Sequence, residues 1–204
     1  PDGWDIFYDK RCILGNTRLK IIDLSENARL PMSNEDRSIW MSYNGEVTNF
    51  LELKKKFHLQ QRHAFRSVSD AEVLIHLYEE LGIEFLNHLS GMFALCLYDS
   101  NSGKVYIARD FYGIRPLFYM IKQGRFYFAS EIKALLQWPG LGRAVDPRAV
   151  HHYLTFLYVP APKSIFKNVN KLPPAHMLVA SAGSQSVEVN RYWQVLPQPD
   201  HTKP

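Results

Sequence analysis

Met92-Phe93-Ala94-Leu95-Cys96-Leu97-Tyr98, Asp99-Ser100-Asn101-Ser102-Gly103, Lys104-Val105-Tyr106-Ile107-Ala108: an apolar run, a cluster of turn formers, a second apolar run. β-Branched and aromatic residues bounded by Gly, Asn, Asp and Ser read as paired strands. Two more such runs, 117–121 and 125–128, follow after Tyr112-Gly113 and around Gln123-Gly124. Four strands with no helix between them predict an antiparallel sheet rather than a parallel array built on crossover helices.

Toward the N-terminus the same reading gives short strands over 4–8, 12–14, 19–22 and 39–43. Helices follow at 50–57, with Asn49 as its N-cap, and at 70–81. The second opens on Ser69 and Glu72, a Ser-x-x-Glu capping box, and carries Leu74, Leu77, Tyr78 and Leu81 on one side. A short helix at 84–89 precedes Gly91. Toward the C-terminus a helix over 131–136 stops at Pro139-Gly140. Another, 147–157, is capped by Asp146, with Pro147 in the first turn, where a missing N–H costs least. Pro160, Pro162, Pro173 and Pro174 mark an irregular stretch before strand-like pieces at 177–180 and 187–193. The tail 197–204 reads as a linker. Sheets with helices packed on their faces are the expectation.

A chain of 204 residues holds one sizeable domain with a short appended piece. No apolar run approaches the length of a membrane span, so no membrane partner is expected. The opening Pro1-Asp2-Gly3-Trp4 lacks a basic, apolar leader, and the expectation is a cytoplasmic protein. It also lacks Met, which suggests an excerpt of a longer chain. Lys and Arg number 24 against 20 Asp and Glu, a net +4. The densest basic run, Lys54-Lys55-Lys56, sits beside Leu51, Leu53 and Phe57 as a solvated helix face would. No nucleic-acid partner is expected. Cys12 and Cys96 lie in strand-like runs without metal-ligand spacing and read as buried, reduced thiols. The eight histidines are scattered, and His151-His152 diverge on a helix. The expectation is no metal site and no cofactor in this chain.

Several stretches together resemble the amidotransferase domain of glutamine-dependent asparagine synthetases. They are Pro1-Asp2-Gly3, Gly15-Asn16-Thr17-Arg18-Leu19, Ile21-Ile22-Asp23-Leu24-Ser25, Pro31-Met32-Ser33-Asn34-Glu35, Asn44-Gly45-Glu46 and Ser69-Asp70-Ala71-Glu72-Val73. Leu89-Ser90-Gly91-Met92-Phe93-Ala94, Ala108-Arg109-Asp110, Gly113-Ile114-Arg115-Pro116-Leu117, Phe128-Ala129-Ser130-Glu131-Ile132-Lys133-Ala134-Leu135 and Arg191-Tyr192-Trp193 complete the set. They keep the family's order across nearly the whole chain. The resemblance implies an α+β fold of the N-terminal-nucleophile-hydrolase type, an αββα sandwich of two mainly antiparallel sheets between helix layers. It implies a class II glutaminase domain over 1–140, with 141–204 as the end of the domain and a linker toward an ATP-dependent synthetase domain.

The chemistry implied is attack by an N-terminal cysteine thiolate on the side-chain amide of glutamine, with its own α-amine as base. A glutamyl thioester forms, ammonia leaves and water releases glutamate. The ammonia then amidates an aspartate that ATP, with Mg²⁺, has activated in the synthetase half. By resemblance Arg18 grips the substrate α-carboxylate, and Leu19, Lys20, Ile21 and Ile22 supply a neighbouring strand's contacts. Asp70 pairs with the α-ammonium, Asn44 and the N–H of Gly45 form the oxyanion hole, and Glu46 completes that loop. Taken singly, Arg18 is a surface arginine, Asp70 complements a helix N-terminus and Asn44-Gly45 is a turn signal. Arg109-Asp110 and Ser130-Glu131 read as a buried ionic and capping network, the latter pair near the path to the second domain.

The family's cysteine lies upstream of the motif in which this chain begins, and its Ser-Gly-Gly-x-Asp-Ser ATP loop lies in the synthetase half. The chain alone is therefore expected to be inactive. Neither Cys12 nor Cys96 has a free α-amine to replace the nucleophile. Asn16, Ala71 and Val47-Thr48 depart from the residues the family usually carries, flanking the pocket residues without removing them. The partners implied are glutamine and the synthetase domain of the same parent chain, and a homodimer is one state left open. Without a first strand the fragment is expected to expose a sheet edge and self-associate. Two readings stand beside this one: a glutamine-binding or partner-binding fragment without catalysis, and a related synthetase making another amide or a β-lactam. Close kinship with sugar-phosphate and purine-pathway amidotransferases is not expected.

Overall fold

The computed structural model describes residues 2–181 and 187–195. Its strands are β1 (Gly3–Tyr8), β2 (Ile13–Arg18), β3 (Met32–Ser33), β4 (Ile39–Val47), β5 (Gly91–Asp99), β6 (Lys104–Arg109), β7 (Phe118–Lys122), β8 (Arg125–Ala129), β9 (Asn170–Lys171), β10 (His176–Ser181) and β11 (Val187–Arg191). The helices are α1 (Phe50–Lys56), α2 (Leu59–Arg62), α3 (Asp70–Leu81), α4 (Ile132–Leu135) and α5 (Pro147–Phe156), with a 3₁₀ stretch over Gly82–His88.

All strand pairings are antiparallel. The central sheet has the order β11-β10-β6-β5-β4-β3, and two smaller sheets, β1-β2 and β8-β7-β9, accompany it. Alternation along β4 and β5 shows why this sheet is buried on both faces. Met41, Tyr43, Phe93, Leu95 and Leu97 point into a core shared with α1 and α3. Ala94, Cys96 and Tyr98 point the other way, onto Leu14 of β2 and Leu117. Each fully buried Leu or Phe contributes about 1.5–3 kcal/mol. The result is an α+β sandwich whose second β layer is split in two. Its outer helices are thin: α4 buries Leu135, and α5 buries Ala149.

Several expectations are corrected. The four strands 92–128 are not one meander, because β5-β6 belongs to the central sheet and β7-β8 to another. Arg109 and Asp110 make the turn between sheets. The Arg109 guanidinium donates to the carbonyls of Gly113, Arg115 and Leu172 at 2.6–2.7 Å. Asp110 accepts from the N–H groups of Tyr112, Ile114 and Arg115 at 2.9–3.1 Å. Both are buried, and both charges are met by backbone dipoles rather than by each other. Residues 19–22 are not a strand but a loop, with Leu19 and Ile21 exposed. Alternating apolar residues there find no partner strand.

Asn49 does not cap α1 with its side chain; it bridges the carbonyl of His88 and the N–H of Ser90. The capping box is half made. Ser69 Oγ accepts from Ala71 N, but Glu72 accepts from the N–H groups of Arg66 and Ser67 and from Ser67 Oγ. The 12-residue α3 thus starts against a buried carboxylate that organises the preceding segment. The tail 197–204, expected to be a linker, lies outside the described residues.

Candidate functional site

Successive N–H groups of β4 point alternately toward β5 and away from it. Phe93, opposite Gly45, spends its carbonyl on Asp110 N and its N–H on Asp110 Oδ2. Tyr43, Gly45 and Val47 therefore present their N–H groups on the far edge of β4. The Tyr43 N–H donates to Asn16 Oδ1 at 3.1 Å and that of Val47 to Asp70 Oδ2 at 3.0 Å. The Gly45 N–H lies between them on that same edge. The triplet Asn44-Gly45-Glu46 is thus strand, not the turn its letters suggest.

Gly45 also meets a steric demand from the other side. A Cβ there would stand 2.3 Å from the Met92 carbonyl and 2.7 Å from Phe93 Cα. Gly91 answers it: a Cβ there would meet the Glu46 carbonyl at 2.2 Å, and its φ of +150° suits glycine. Two glycines let β4 and β5 close up beneath this edge.

The edge forms one wall of a cleft of about 760 Å³, also lined by Arg18, Leu19, Ile21, Ile22, Asn44, Glu46, Asp70, Arg115 and Ser130. Eight of the nine residues singled out from sequence line it. Lys20 does not. Its N–H donates to Asp2 Oδ2, and its ammonium pairs with Glu26 at 2.7 Å. Arg18 ends β2 half-buried, donating to the Ser25 carbonyl at 2.8 Å and to the Asp23 carbonyl. Two of its five N–H donors are occupied, and the rest are available to an anion. Asp23 pins the loop in turn. Its carboxylate accepts from Ser25 N at 2.7 Å and Val68 N at 2.9 Å, and bonding to Ser25 and Val68 holds its pKa below the usual value.

Asp70, the first residue of α3, is 4% exposed. Its Oδ2 accepts from the Tyr43 hydroxyl at 2.7 Å and Val47 N; its Oδ1 accepts from Ala71 N at 2.9 Å and Ser69 Oγ at 3.3 Å. Burial and the adjacent carboxylate push the Tyr43 phenol far up, so it remains a donor. All four lone-pair directions of Asp70 are in use, and the longest bond is the one to Ser69.

Asn44 Nδ2 donates to Ser130 Oγ at 3.1 Å, so β4 meets the β8–α4 junction across the cleft. Ser130 and Glu131 do not cap α4: Glu131 is the N-cap residue without a side-chain bond and instead pairs with Lys133. Three residues gain weight that sequence reasoning did not give them. Asn16 accepts from Ser42 Oγ at 2.7 Å as well as Tyr43 N, which ties β2 to β4. Ser130 fixes the amide of Asn44. Arg115 brings a second cation to the cleft, with Nε buried and unpartnered among the described residues. All three stood in the quoted motifs, but their contacts join segments far apart in sequence. Cys96 lines the cleft at 1% exposure, and burial drives its thiol pKa well up. Burial, helped by Asp9, pushes the Cys12 thiol up to about 12. Neither is a thiolate at neutral pH.

A family described as the glutamine amidotransferase domain matches residues 1–193. The asparagine synthetase [glutamine-hydrolyzing] 2 of Bacillus subtilis is 35% identical over 200 residues, covering 96% of this chain and 26% of that protein. A putative asparagine synthetase [glutamine-hydrolyzing] 2 of Methanocaldococcus jannaschii is 32% identical over 198 residues, covering 89% of this chain and 38% of that protein. The chain thus spans between about a quarter and two fifths of these relatives. Among solved structures, the glutamine phosphoribosylpyrophosphate amidotransferase of B. subtilis superposes with a TM-score of 0.60 at 19% identity, over 90% of this chain and 35% of that one. That likeness is one of fold.

Proposed function

Because the chain belongs to the glutamine amidotransferase domain family, we propose that its cleft binds glutamine. Within a longer parent chain it would deliver the ammonia for ATP-driven amidation of aspartate. ATP and Mg²⁺ would belong to the synthetase domain of that parent, with 1–140 as the glutaminase domain and 141–204 as the end of that domain and the linker toward the synthetase half. The compartment proposed is the cytoplasm.

The observation that carries the reading is the convergence, in one cleft, of a part-occupied guanidinium, a free strand-edge N–H and an aligned amide. Arg18 takes the α-carboxylate with its remaining donors, and its two bonds to the 23–25 loop hold the fork in place. Asp70 takes the α-ammonium by surrendering the long Ser69 bond. The Gly45 N–H and Asn44 Nδ2 converge on the side-chain carbonyl, where charge develops during attack. Leu19, Ile21 and Ile22 cover the aliphatic stem, and Glu46 lies on the same wall. With Cys96 buried, Cys12 half-buried and both thiols protonated, the described residues hold glutamine without cleaving it.

Calorimetric titration of the 204-residue chain with L-glutamine tests this. Saturable 1:1 binding without ammonia release is expected, weakened by Arg18→Ala about tenfold to a hundredfold, the worth of a charge-assisted bond pair. Unchanged affinity in Arg18→Ala, with the fold intact by circular dichroism, would remove Arg18 and the cleft from the account.

A further inference from the structure

Two histidines thirteen positions apart, His63 after α2 and His76 inside α3, stack with ring centroids 4.3 Å apart and planes at 22°. Their Nδ1 atoms face the same two carboxylates. His63 Nδ1 lies 3.6 Å from Glu35 Oε1 and 3.5 Å from Glu79 Oε2. His76 Nδ1 lies 3.7 Å from Glu35 Oε2 and 2.7 Å from Glu79 Oε2. One donor atom from each of the four falls within 4.8 Å of every other.

The partners outside this quartet fix its chemistry. His63 Nε2 lies 3.0 Å from Glu80 Oε1, a bond in which the ring nitrogen donates, so in the neutral ring Nδ1 carries the lone pair. That lone pair faces two carboxylate oxygens, an arrangement that calls for a positive charge between them. Glu35 Oε1 is held by the N–H of Ala64 at 2.9 Å, and Glu79 Oε1 by Asn34 Nδ2 at 2.8 Å. Orientation of a ligating imidazole and carboxylate through their other atoms is the usual support of a metal site. His76 is 1% exposed, its Nδ1 turned into the quartet and its Nε2 buried without a hydrogen-bond partner among the described residues.

We propose that Glu35, His63, His76 and Glu79 form a binding site for a divalent transition metal of the zinc type. The two imidazole nitrogens, borderline donors, beside two harder carboxylate oxygens suit Zn²⁺, Co²⁺ or Ni²⁺ rather than Mg²⁺ or Ca²⁺, which favour all-oxygen sites. On a tetrahedral ion with bonds of about 2.0–2.1 Å, ligand atoms stand about 3.3–3.4 Å apart. Three of the four distances above are already near that spacing. The fourth, the His76–Glu79 hydrogen bond, opens when the metal takes the place of the Nδ1 proton, and the Nε2 tautomer results. Two ionised glutamates neutralise the ion. The ion would pin the β3–β4 turn, the end of α2 and the middle of α3 to one another. His76 lies six residues, about 9 Å, along α3 from Asp70 of the cleft, so the ion would brace the helix that carries that wall.

The test is titration of the 204-residue chain with Zn²⁺ by calorimetry and with Co²⁺ by visible absorption. One equivalent of each should bind with low-micromolar or tighter affinity, with the intense d–d bands of a four-coordinate site. Glu35→Gln, at the exposed edge, and His63→Gln should each weaken binding by at least about tenfold, whereas the surface variant His151→Ala leaves it intact. Circular dichroism of the metal-free variants verifies that they fold, and Glu35→Gln, which removes no buried group, keeps the test decisive. No uptake, equal uptake by wild type and Glu35→Gln, or loss in His151→Ala alone would overturn the site.

Discussion

Gly45 carries two burdens in one residue. Its N–H faces the cleft, and its missing side chain lets β5 approach from the other side, where a methyl would stand 2.3 Å from a carbonyl oxygen. Gly45→Ala must therefore push β4 and β5 apart along a half-buried seam. A loss of about 1–3 kcal/mol in chemical denaturation is expected, with glutamine binding reduced beyond what the stability loss explains. A variant as stable as wild type would mean that the strands have slack there. This residue also marks how far sequence can be read. Asn-Gly in isolation signals a turn, and only its place in a family motif pointed to the cleft. The reason for glycine lies in Met92 and Phe93, some 47 residues away along the chain, and no local pattern holds that information. Asn16, Ser130 and Arg115 were passed over for the same reason.

At the scale of elements, α3 matched its expected span because its signals are local: a Ser before it, apolar residues at helical spacing and Gly82 after it. The 19–22 segment failed because a strand exists only by having a neighbour, and its apolar residues line a cleft instead. What holds that loop is Asp23, so acid should release it. The Asp23 pKa is depressed in the folded chain, chiefly by its bond to Ser25. Its contribution is therefore complete above the ordinary value near 3.8 and is lost as pH falls through the lower folded value. The amide protons of Ser25 and Val68, which donate to that carboxylate, should titrate together with a midpoint below 3.8. In Asp23→Asn the titration should vanish. A shared midpoint at or above 3.8 would mean that the loop is not held by the ionised carboxylate.

For the whole molecule, antiparallel sheets with helices packed on them were legible because alternation, turn clusters and capped helices each leave a local mark; the layered sandwich came from the family resemblance. The splitting of the second layer was not, since it depends on Arg109 and Asp110 turning the chain through backbone bonds to residues as distant as Leu172. Trp4, Ile6, Tyr8 and Ile13 on the first hairpin, and Tyr153, Leu154, Phe156 and Leu157 on and just after α5, are large apolar side chains left exposed. They set the surface apart from the cleft, which is polar at its Arg18, Asn44 and Asp70 corners.

On the proposed reading, glutamine sits along the edge of β4. Amide shift mapping of the ¹⁵N-labelled chain during titration with L-glutamine is the test. Saturating shifts are expected at Asn44, Gly45 and Arg18, with the amides of α5 unmoved. Shifts confined to α5, or no shifts along β4 at millimolar glutamine, would contradict it.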